Sequence, residues 1–456
     1  MYKAAILGSV IGAIFAPGTA QADPHEAWQA PTLTITRADE DWSDLSDAEK
    51  RDHHWTGSFK YIPLGANGEV WLSTGIELRA RTEGYDNNAW GSAPEPDDSY
   101  VWFRALPYAD LHVGKLRAFI QPIATTSVSV APRPGPIDET GIDLLQGFVE
   151  ADLGPVTVRG GRQMLSLGTE RLIGTRYGPN VPLAFDGLRV NLPLGMAKIN
   201  LLAVRPVQAR EGDFNDRPSH DKSLWGAYAV LPELDLYYLG YRNDGAHWGD
   251  REGSETRHSL GIRWHSTQDG WHWNIEGVYQ FGRFAGGPIS AWTVGSEIGR
   301  SFPTLPMEPD LTLRANLVSG DGNTSDDRLG TFNALFPKGK YFGELSPIGP
   351  YNLVNVHPSL GLRLSPKVSA SLAGAAYWRY STADGIYDIP GNLVRAAGGT
   401  RARFIGTLIE GAVSWQATSE LELSASVSTF SAGPFIRATG SARPIRMLGL
   451  ESNFRF

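Results

Sequence analysis

Cysteine is absent from this chain of 456 residues. Its absence excludes disulfide scaffolds, thiolate zinc sites, iron–sulfur clusters and cysteine nucleophiles. Charged residues are sparse at 20%, and the formal net charge of -8 argues against nucleic acid as a partner. Apolar runs that could form a membrane-spanning helix of about 20 residues are also lacking. Glycine (52 residues) and aromatic side chains (11%) are plentiful instead, which favours strands and turns with a surface that faces something other than water.

The amino-terminal residues predict secretion. A basic start, an apolar run of about a dozen residues and a small-residue triplet that ends at Ala22 are typical of a signal peptide over residues 1–22. Residues 23–68 are polar and acidic, and they predict a periplasmic amino-terminal segment, either a tail or a plug-like strap. Within it we expect a short helix from Asp44 to Arg51, capped by Ser43.

From residue 69 to residue 456, apolar residues alternate with small, polar or charged ones. In the last run, one face carries Leu448, Leu450, Phe454 and Phe456, and the other carries Glu451, Asn453 and Arg455. We count eighteen such runs, with centres near residues 75, 104, 120, 148, 158, 189, 201, 227, 237, 261, 276, 294, 314, 359, 373, 410, 426 and 451. Sixteen strands result if the two weakest runs fail. Because either number is even, the pattern predicts an all-β fold, a transmembrane antiparallel β-barrel with long extracellular loops.

Aromatic residues decide between a membrane barrel and a soluble β-sandwich, since strands alternate in both. Trp264, Trp271 and Trp415 fall near predicted strand ends on the apolar face, where ring side chains suit a headgroup boundary. A sandwich of this length would need several domains, and no linker separates them. The predicted location is therefore the bacterial outer membrane, with the lipid bilayer as partner.

A barrel of 16 to 18 strands encloses an aqueous channel, so the polar face should contact solute. On that face we place eleven arginines: Arg79, Arg81, Arg104, Arg117, Arg159, Arg189, Arg263, Arg314, Arg363, Arg379 and Arg455. Seven acids share it: Glu69, Glu77, Glu276, Glu297, Glu410, Glu422 and Glu451. Guanidinium groups match carboxylates, so the excess of arginine favours anionic solutes, with these arginines as the substrate-binding residues. Any single arginine could equally belong to a ladder that stiffens the wall.

The longest predicted connection, residues 319–352, is rich in aromatic residues and is expected to form a functional loop. We expect it to fold over the mouth or into the lumen as a gate, with Lys338 and Lys340 as its basic residues. Its Asp321, Asn323, Ser325 and Asp327 copy the alternation of a calcium loop, but Asp326 and Phe332 replace the required Gly and Glu. We therefore expect no bound metal ion, and no cofactor.

Several motifs make the chain similar to a known family. They are Phe59-Lys60-Tyr61-Ile62-Pro63-Leu64 leading to Glu77-Leu78-Arg79-Ala80-Arg81; Gly161-Arg162-Gln163 with Leu167-Gly168 and Arg171; Phe185-Asp186-Gly187-Leu188-Arg189; and Ser319-Gly320-Asp321 with Thr331-Phe332-Asn333-Ala334-Leu335-Phe336-Pro337 and Tyr341-Phe342-Gly343. Through them, residues 56–456 resemble the alginate export outer-membrane proteins.

The resemblance implies an eighteen-stranded barrel with an electropositive pore that passes the polyuronate alginate across the outer membrane by diffusion. It also implies that Arg79, Arg159, Arg189, Arg363 and Arg379 contact the solute at the pore wall, and that Asp186 fixes an arginine. Periplasmic secretion partners are a further expectation. Fold transfers within such a family better than substrate does.

Two other functions remain open from the sequence. One is uptake of a small carboxylated or aromatic nutrient through a channel narrowed by Trp71, Trp102 and Tyr377. The other is a barrel hydrolase built on His357 and Ser359, or on His265, for which no third catalytic partner is visible. We expect a channel and not an enzyme.

Overall fold

The computed structural model describes residues 31–52, 54–65 and 68–456. The predicted signal peptide lies outside the described residues. In the described part of the chain, eighteen long antiparallel strands each pair with their neighbours, and the last pairs with the first through Leu78 and Phe454. The predicted all-β barrel of eighteen strands is confirmed, and each predicted strand centre falls inside a strand.

The barrel strands are β1 Val70–Asp86, β2 Asp98–Val113, β3 Leu116–Val128, β4 Gly141–Asp152, β5 Thr157–Gln163, β6 Phe185–Leu194, β7 Ala197–Gln208, β8 Lys222–Val230, β9 Leu234–Trp248, β10 Arg251–Gln268, β11 Trp271–Phe284, β12 Gly287–Ser301, β13 Asp310–Val318, β14 Leu353–Ser365, β15 Val368–Arg379, β16 Phe404–Gln416, β17 Leu421–Ala432 and β18 Ile445–Arg455. Shorter strands are Ile62–Pro63, Arg217–Pro218, Ile386–Tyr387 and Leu393–Arg395.

The helices are short: α1 Ala48–Arg51, α2 Gly57–Lys60, α3 Asn88–Gly91 and α4 Pro434–Thr439, with a 3₁₀ turn at Ser43–Ser46. None of the helices in the described residues has the length and hydropathy needed to cross a membrane. The predicted helix over Asp44–Arg51 is wrong in its start and its cap, because Asp47 is extended and separates the 3₁₀ turn from α1. The Asp47 carboxylate accepts the Glu49 N–H (3.0 Å) and caps α1, while the Ser43 hydroxyl donates to Asp41.

The two ends of the barrel differ. One end carries the start of β1, the end of β18 and short connections such as Gly114–Lys115, where Gly114 adopts a positive φ of 55°. The other end carries the longest connections, residues 164–184, 319–352 and 380–403. Since bacterial outer-membrane barrels have short periplasmic turns and longer extracellular loops, the first end is periplasmic and the second external.

The alternation of each strand separates an apolar outer face from a polar interior. Outward residues such as Leu372 (57% exposed), Ile409 (58%) and Val427 (58%) would be costly in water but suit acyl chains. Trp264, Trp271 and Trp415 are also outward and 44–48% exposed, as the sequence predicts for a headgroup boundary.

Candidate solute channel

Two long external loops fold into the barrel and meet there. Residues 164–184 and residues 319–352 form a parallel bridge between Ile173 and Phe336. The Gly174 N–H donates to the Phe336 carbonyl (2.8 Å), and the Phe336 N–H donates to the Leu172 carbonyl (2.8 Å). Sequence reasoning predicted a long loop at 319–352 but missed the loop at 164–184. The wide gap between the predicted strand centres near residues 158 and 189 was the available signal.

The loop at 164–184 is held to the wall by two arginines. Arg79 donates to the carbonyls of Tyr177 (3.1 Å), Gly178 (3.1 Å) and Pro179 (2.8 Å). Arg104 donates to the Tyr177 and Pro179 carbonyls and pairs with Glu77 at 2.7 Å. Both arginines are inward and almost fully buried. They therefore position the loop, and few of their N–H groups remain for a solute.

The loop at 319–352 is held by Arg81, which contacts three carboxylates. Its guanidinium lies 2.6 Å from Glu83, 2.7 Å from Glu344 and 2.7 Å from Glu451. Lys340 also pairs with Glu344 and lies 3.5 Å from Glu83. Burial alone would raise the pKa of the Glu344 carboxyl, but Lys340 and Arg81 outweigh burial and hold this pKa below its usual range. Glu344 thus stays charged and ties the loop to β1.

The amino-terminal segment enters the periplasmic end of the barrel. Arg37 donates to the carbonyl of Phe456 (2.5 Å), and Lys60 donates to the Tyr108 hydroxyl (2.6 Å) and the Thr74 carbonyl (3.0 Å). Burial, with Arg37 nearby, lowers the pKa of Lys60 to about 6. The described part of the segment is therefore a strap inside the barrel mouth and not a free tail.

Five other predicted arginines pair with acids along the wall. They are Arg117 with Asp110 (2.6 Å) and Glu150 (3.6 Å), Arg159 with Glu150 (2.7 Å), Arg263 with Asp235 (2.5 Å), Arg314 with Glu297 (2.6 Å) and Arg363 with Glu308 (3.1 Å). Sequence reasoning missed several of these inward acids, and it also missed the buried pair of Arg257 with Glu255. The interior charges cancel far more completely than the predicted excess of arginine suggested.

The last three predicted arginines lack a carboxylate partner within ion-pair distance in the described residues. Arg189 donates to the Asn200 side-chain oxygen (2.6 Å). Arg379 is fully buried and donates only to carbonyls, including that of Ala402 (2.7 Å). Arg455 is half-buried on the last strand. Arg379 thus holds an external loop, whereas Arg189 and Arg455 keep donors that face the lumen.

A cluster of three cations lies where the two inward loops meet the wall. Arg171 pairs with Glu276 (3.0 Å) and donates to the Tyr341 hydroxyl (2.8 Å). Arg314 pairs with Glu297. Lys338 interacts electrostatically with both arginines, which repel it, and with Glu297 and Glu170, which attract it. The Lys338 ammonium makes no hydrogen bond or ion pair with any described residue. Burial, reinforced by Arg314, lowers the pKa of Lys338 below its usual range.

The aromatic and histidine candidates also lie inside. Trp71, Trp102 and Tyr377 are inward and buried, and Trp71 stacks on His112 at 3.8 Å. His357 is 2% exposed, and no described residue forms a hydrogen bond with its Nδ1. No hydrogen bond joins His357 to Ser359 in this part of the chain. Likewise, the described residues contain no group of three or more His, Asp or Glu side chains placed to hold a metal ion.

Asp186, which the sequence predicts to fix an arginine, lies on β6 opposite Arg162 of β5. Its carboxylate accepts from Arg162 at 2.8 Å and 3.0 Å, the bidentate arrangement that fixes a guanidinium.

Solved structures with the same fold are outer-membrane porins. The chain superposes on a BenF-like porin from Pseudomonas fluorescens Pf-5 with a TM-score of 0.60 and 10% identity, covering 84% of this chain and 98% of that one. Pseudomonas aeruginosa OccK2 (OpdF), solved in complex with glucuronate, gives 0.57 and 11%, with 84% and 98% coverage. Pseudomonas aeruginosa OpdK, solved with vanillate, gives 0.57 and 10%, with the same coverage. At these identities the likeness concerns the fold. No curated protein matches the sequence.

A family model described as alginate export matches residues 70–447, from the first strand into the last. This range spans the barrel and both inward loops. Together with the closed eighteen-stranded barrel and its porin neighbours, the match establishes an outer-membrane, multi-pass β-barrel that acts as a channel. The chain belongs to the alginate export family.

Proposed function

We propose that the channel passes carboxylated saccharides, polyuronate chains such as alginate or their fragments, across the outer membrane by diffusion. The observation that carries this proposal is the cation cluster of Arg171, Arg314 and Lys338 at the narrowing made by the two loops. Two of these cations are paired with acids, whereas the Lys338 ammonium forms no ion pair or hydrogen bond with a described residue and is attracted by Glu297 and Glu170 only from beyond ion-pair distance. A solute carboxylate can supply the missing partner.

Passage requires binding that is strong enough to admit a solute and weak enough to release it. The lumen donors that are not committed to carboxylates are few and stand apart: Arg455 near the periplasmic end, Arg189 along β6 and Lys338 at the narrowing. A carboxylated chain could exchange one sugar carboxylate for the next along these donors. Because most other arginines are already paired, no continuous basic wall holds the chain too tightly.

Binding at Lys338 should be coupled to protonation. Burial and Arg314 lower the pKa of this ammonium, and an arriving carboxylate would raise the pKa again. Solute binding should therefore take up protons and weaken as the pH rises. The same dependence should be lost when Lys338 is replaced by a neutral residue.

Single-channel recording in planar bilayers tests the proposal. Added polyuronate should block ion current, and Lys338→Gln should weaken the block about two- to fivefold, the effect of one partly exposed ion pair. Arg300→Gln is the matched control, because Arg300 lies on the outer face over Trp271 (5.2 Å). Equal block of the unchanged protein and Lys338→Gln would contradict the proposal, as would a cation-selective channel that ignores polyuronate.

A second candidate is uptake of small carboxylated or aromatic solutes. The meeting of the two loops inside the barrel narrows the path, which favours a small solute, and porins of the same fold were solved with glucuronate and with vanillate. Liposome-swelling rates separate the candidates. Rapid entry of glucuronate and vanillate with no block by polyuronate would favour small-solute uptake, whereas polyuronate block at low concentration would favour the saccharide chain.

A further inference from the structure

The outer face of strands β5 to β11 carries a row of basic residues near the external end. Strand register places Arg162 opposite Asp186 and Asp186 opposite Arg205; it also places Arg242 opposite Thr256 and Thr256 opposite Arg283. Arg205 and Arg242 lie at the same height on the barrel. Trp225 pairs with Ala203 on one side and with Gly240 on the other, and each arginine follows its own neighbour by two residues toward the external end. We call Arg205, Arg242 and Arg283 the basic row.

The guanidinium groups of the basic row are open to the outside. All three residues are exposed, in contrast to Arg162, which is partly buried and forms an ion pair with Asp186. Arg205 makes no hydrogen bond or ion pair with any described residue. Arg283 donates one N–H to the Gly286 carbonyl (3.0 Å). Among the described residues, the Arg242 guanidinium forms an ion pair with Asp244 alone (2.8 Å), and the two side chains are 59% and 43% exposed. Each guanidinium therefore retains donors that could contact an anion.

An aromatic patch lies directly on the membrane side of the basic row. Trp225, His258 and Phe281 occupy the next outward row, and Tyr238 and Tyr279 occupy the one after. Their rings touch: His258 stacks on Phe281 (5.2 Å) and on Tyr238 (5.9 Å), and the Tyr238 hydroxyl lies 2.8 Å from His258 Nδ1. Rings of this kind mark the headgroup boundary, so the basic row stands at headgroup height.

The outward charges on the strands differ between this side of the barrel and the side of β18 and β1. On the opposite side, the outward external ends of β18 and β1 carry Arg446 and Asp86, one charge of each sign, 3.7 Å apart. A ligand with several phosphates would therefore find more open guanidinium groups on the basic row than on the strand faces of β18 and β1.

We propose that the outer face of β7 to β11 binds the phosphorylated headgroup of a lipid in the external leaflet. The basic row would contact the phosphates, since guanidinium groups donate to phosphate in bidentate fashion, and the aromatic patch would lie against the acyl chains. Arg205, Arg242 and Arg283 are successively two strands apart, about 10 Å, which suits a headgroup that carries more than one phosphate. This site lies on the outer face and not in the lumen, so the lipid proposal does not depend on which solute the channel passes.

Lipid titration of the purified full-length barrel in detergent, followed by native mass spectrometry, tests the site. The probes are diphosphorylated lipid A, its dephosphorylated form and inorganic phosphate. The variant Arg205→Gln/Arg242→Gln/Arg283→Gln should bind diphosphorylated lipid A about a hundredfold more weakly, at about fivefold per arginine near a membrane surface. The control variant Arg133→Gln/Arg300→Gln/Arg446→Gln removes three exposed arginines elsewhere and should bind as the unchanged protein does.

Three results would overturn the proposal. The first is equal affinity of the basic-row variant and the unchanged protein. The second is equal binding of the dephosphorylated lipid, which would show that only the acyl chains are recognised. The third is displacement of the lipid by millimolar inorganic phosphate alone, which would assign the site to a free anion. A heat-modifiable gel band for each variant verifies that the barrel has folded.

Discussion

Removal of the Arg81 guanidinium should release the loop at 319–352 from the wall. Arg81 joins Glu83 and Glu451 on the wall to Glu344 on the loop, and all three contacts are 2.6 to 2.7 Å long. In Arg81→Met, Glu83 and Glu344 would keep Lys340 as their nearby counter-charge, and Glu451 would keep Arg79 and Lys340. Mutual repulsion would then act along the seam that now holds the loop.

The size of the effect follows from the one contact that crosses to the loop. A hydrogen bond to a charged group contributes about 1.5 to 3 kcal/mol, so the undocked fraction of the loop should rise about 10- to 150-fold. The barrel itself should survive, because its backbone ladder does not depend on Arg81. Single-channel recording should show frequent excursions to a larger conductance and more current noise than in the unchanged protein.

Two further variants make this prediction specific. Arg263→Met removes an inward arginine whose acid, Asp235, is on the neighbouring wall strand, so it should leave the excursions rare. Arg81→Lys keeps the charge but not the three-way geometry and should give an intermediate rate. The reasoning would be refuted if Arg81→Met folded and conducted with unchanged noise, or if Arg263→Met behaved in the same way.

Three more predictions concern the strap and the wall. Lys60→Met should flatten the pH dependence of strap docking. Because docking lowers the pKa of Lys60 to about 6, this side chain binds fewer protons in the docked strap than in the undocked strap. Docking in the unchanged protein should therefore strengthen from about pH 6 to about pH 10, which hydrogen exchange can measure. Arg379→Lys should lower the free energy of unfolding by roughly 2 to 4 kcal/mol in urea titration, because carbonyls now bonded by the guanidinium lose donors. Gly161→Ala should reduce the folded fraction on a heat-modifiability gel, since Gly161 has φ of 132° and a Cβ there would lie 2.4 Å from the Gly147 carbonyl oxygen; Gly160→Ala, which meets only a flexible side chain, should fold normally.

The barrel could be predicted from the sequence because its cause is local. Each strand must present apolar residues to lipid at every second position, and this period is visible without any knowledge of pairing. The eighteen strand centres were therefore correct, and so was the outward placement of Trp264, Trp271 and Trp415. The end of the helix predicted over Asp44–Arg51 was also right, but its capping residue was not, since Ser43 and Asp47 are both acceptable caps by type.

The interior could not be predicted in the same way because its contacts are not local. Arg81 and Glu344 are 263 positions apart, and Arg79 and Tyr177 are 98 apart. The sequence around each of these residues gives no indication of its distant partner. The prediction of a long loop at 319–352 therefore rested on length and aromatic content, while its direction, and the loop that meets it, required the fold.

Pairing also explains why a count of lumen arginines is a weak guide to selectivity. A paired arginine inside a narrow wall holds a loop or a neighbouring strand, and its charge is neutralised before any solute arrives. Replacing Arg81 should therefore change the width of the channel. Replacing Lys338, which has no such partner among the described residues, should change which ions it prefers. If both variants altered only selectivity, the lumen charges would act as one continuous field, and the division between structural arginines and solute-binding cations would be wrong. Measuring conductance and reversal potential on the same two variants distinguishes these cases.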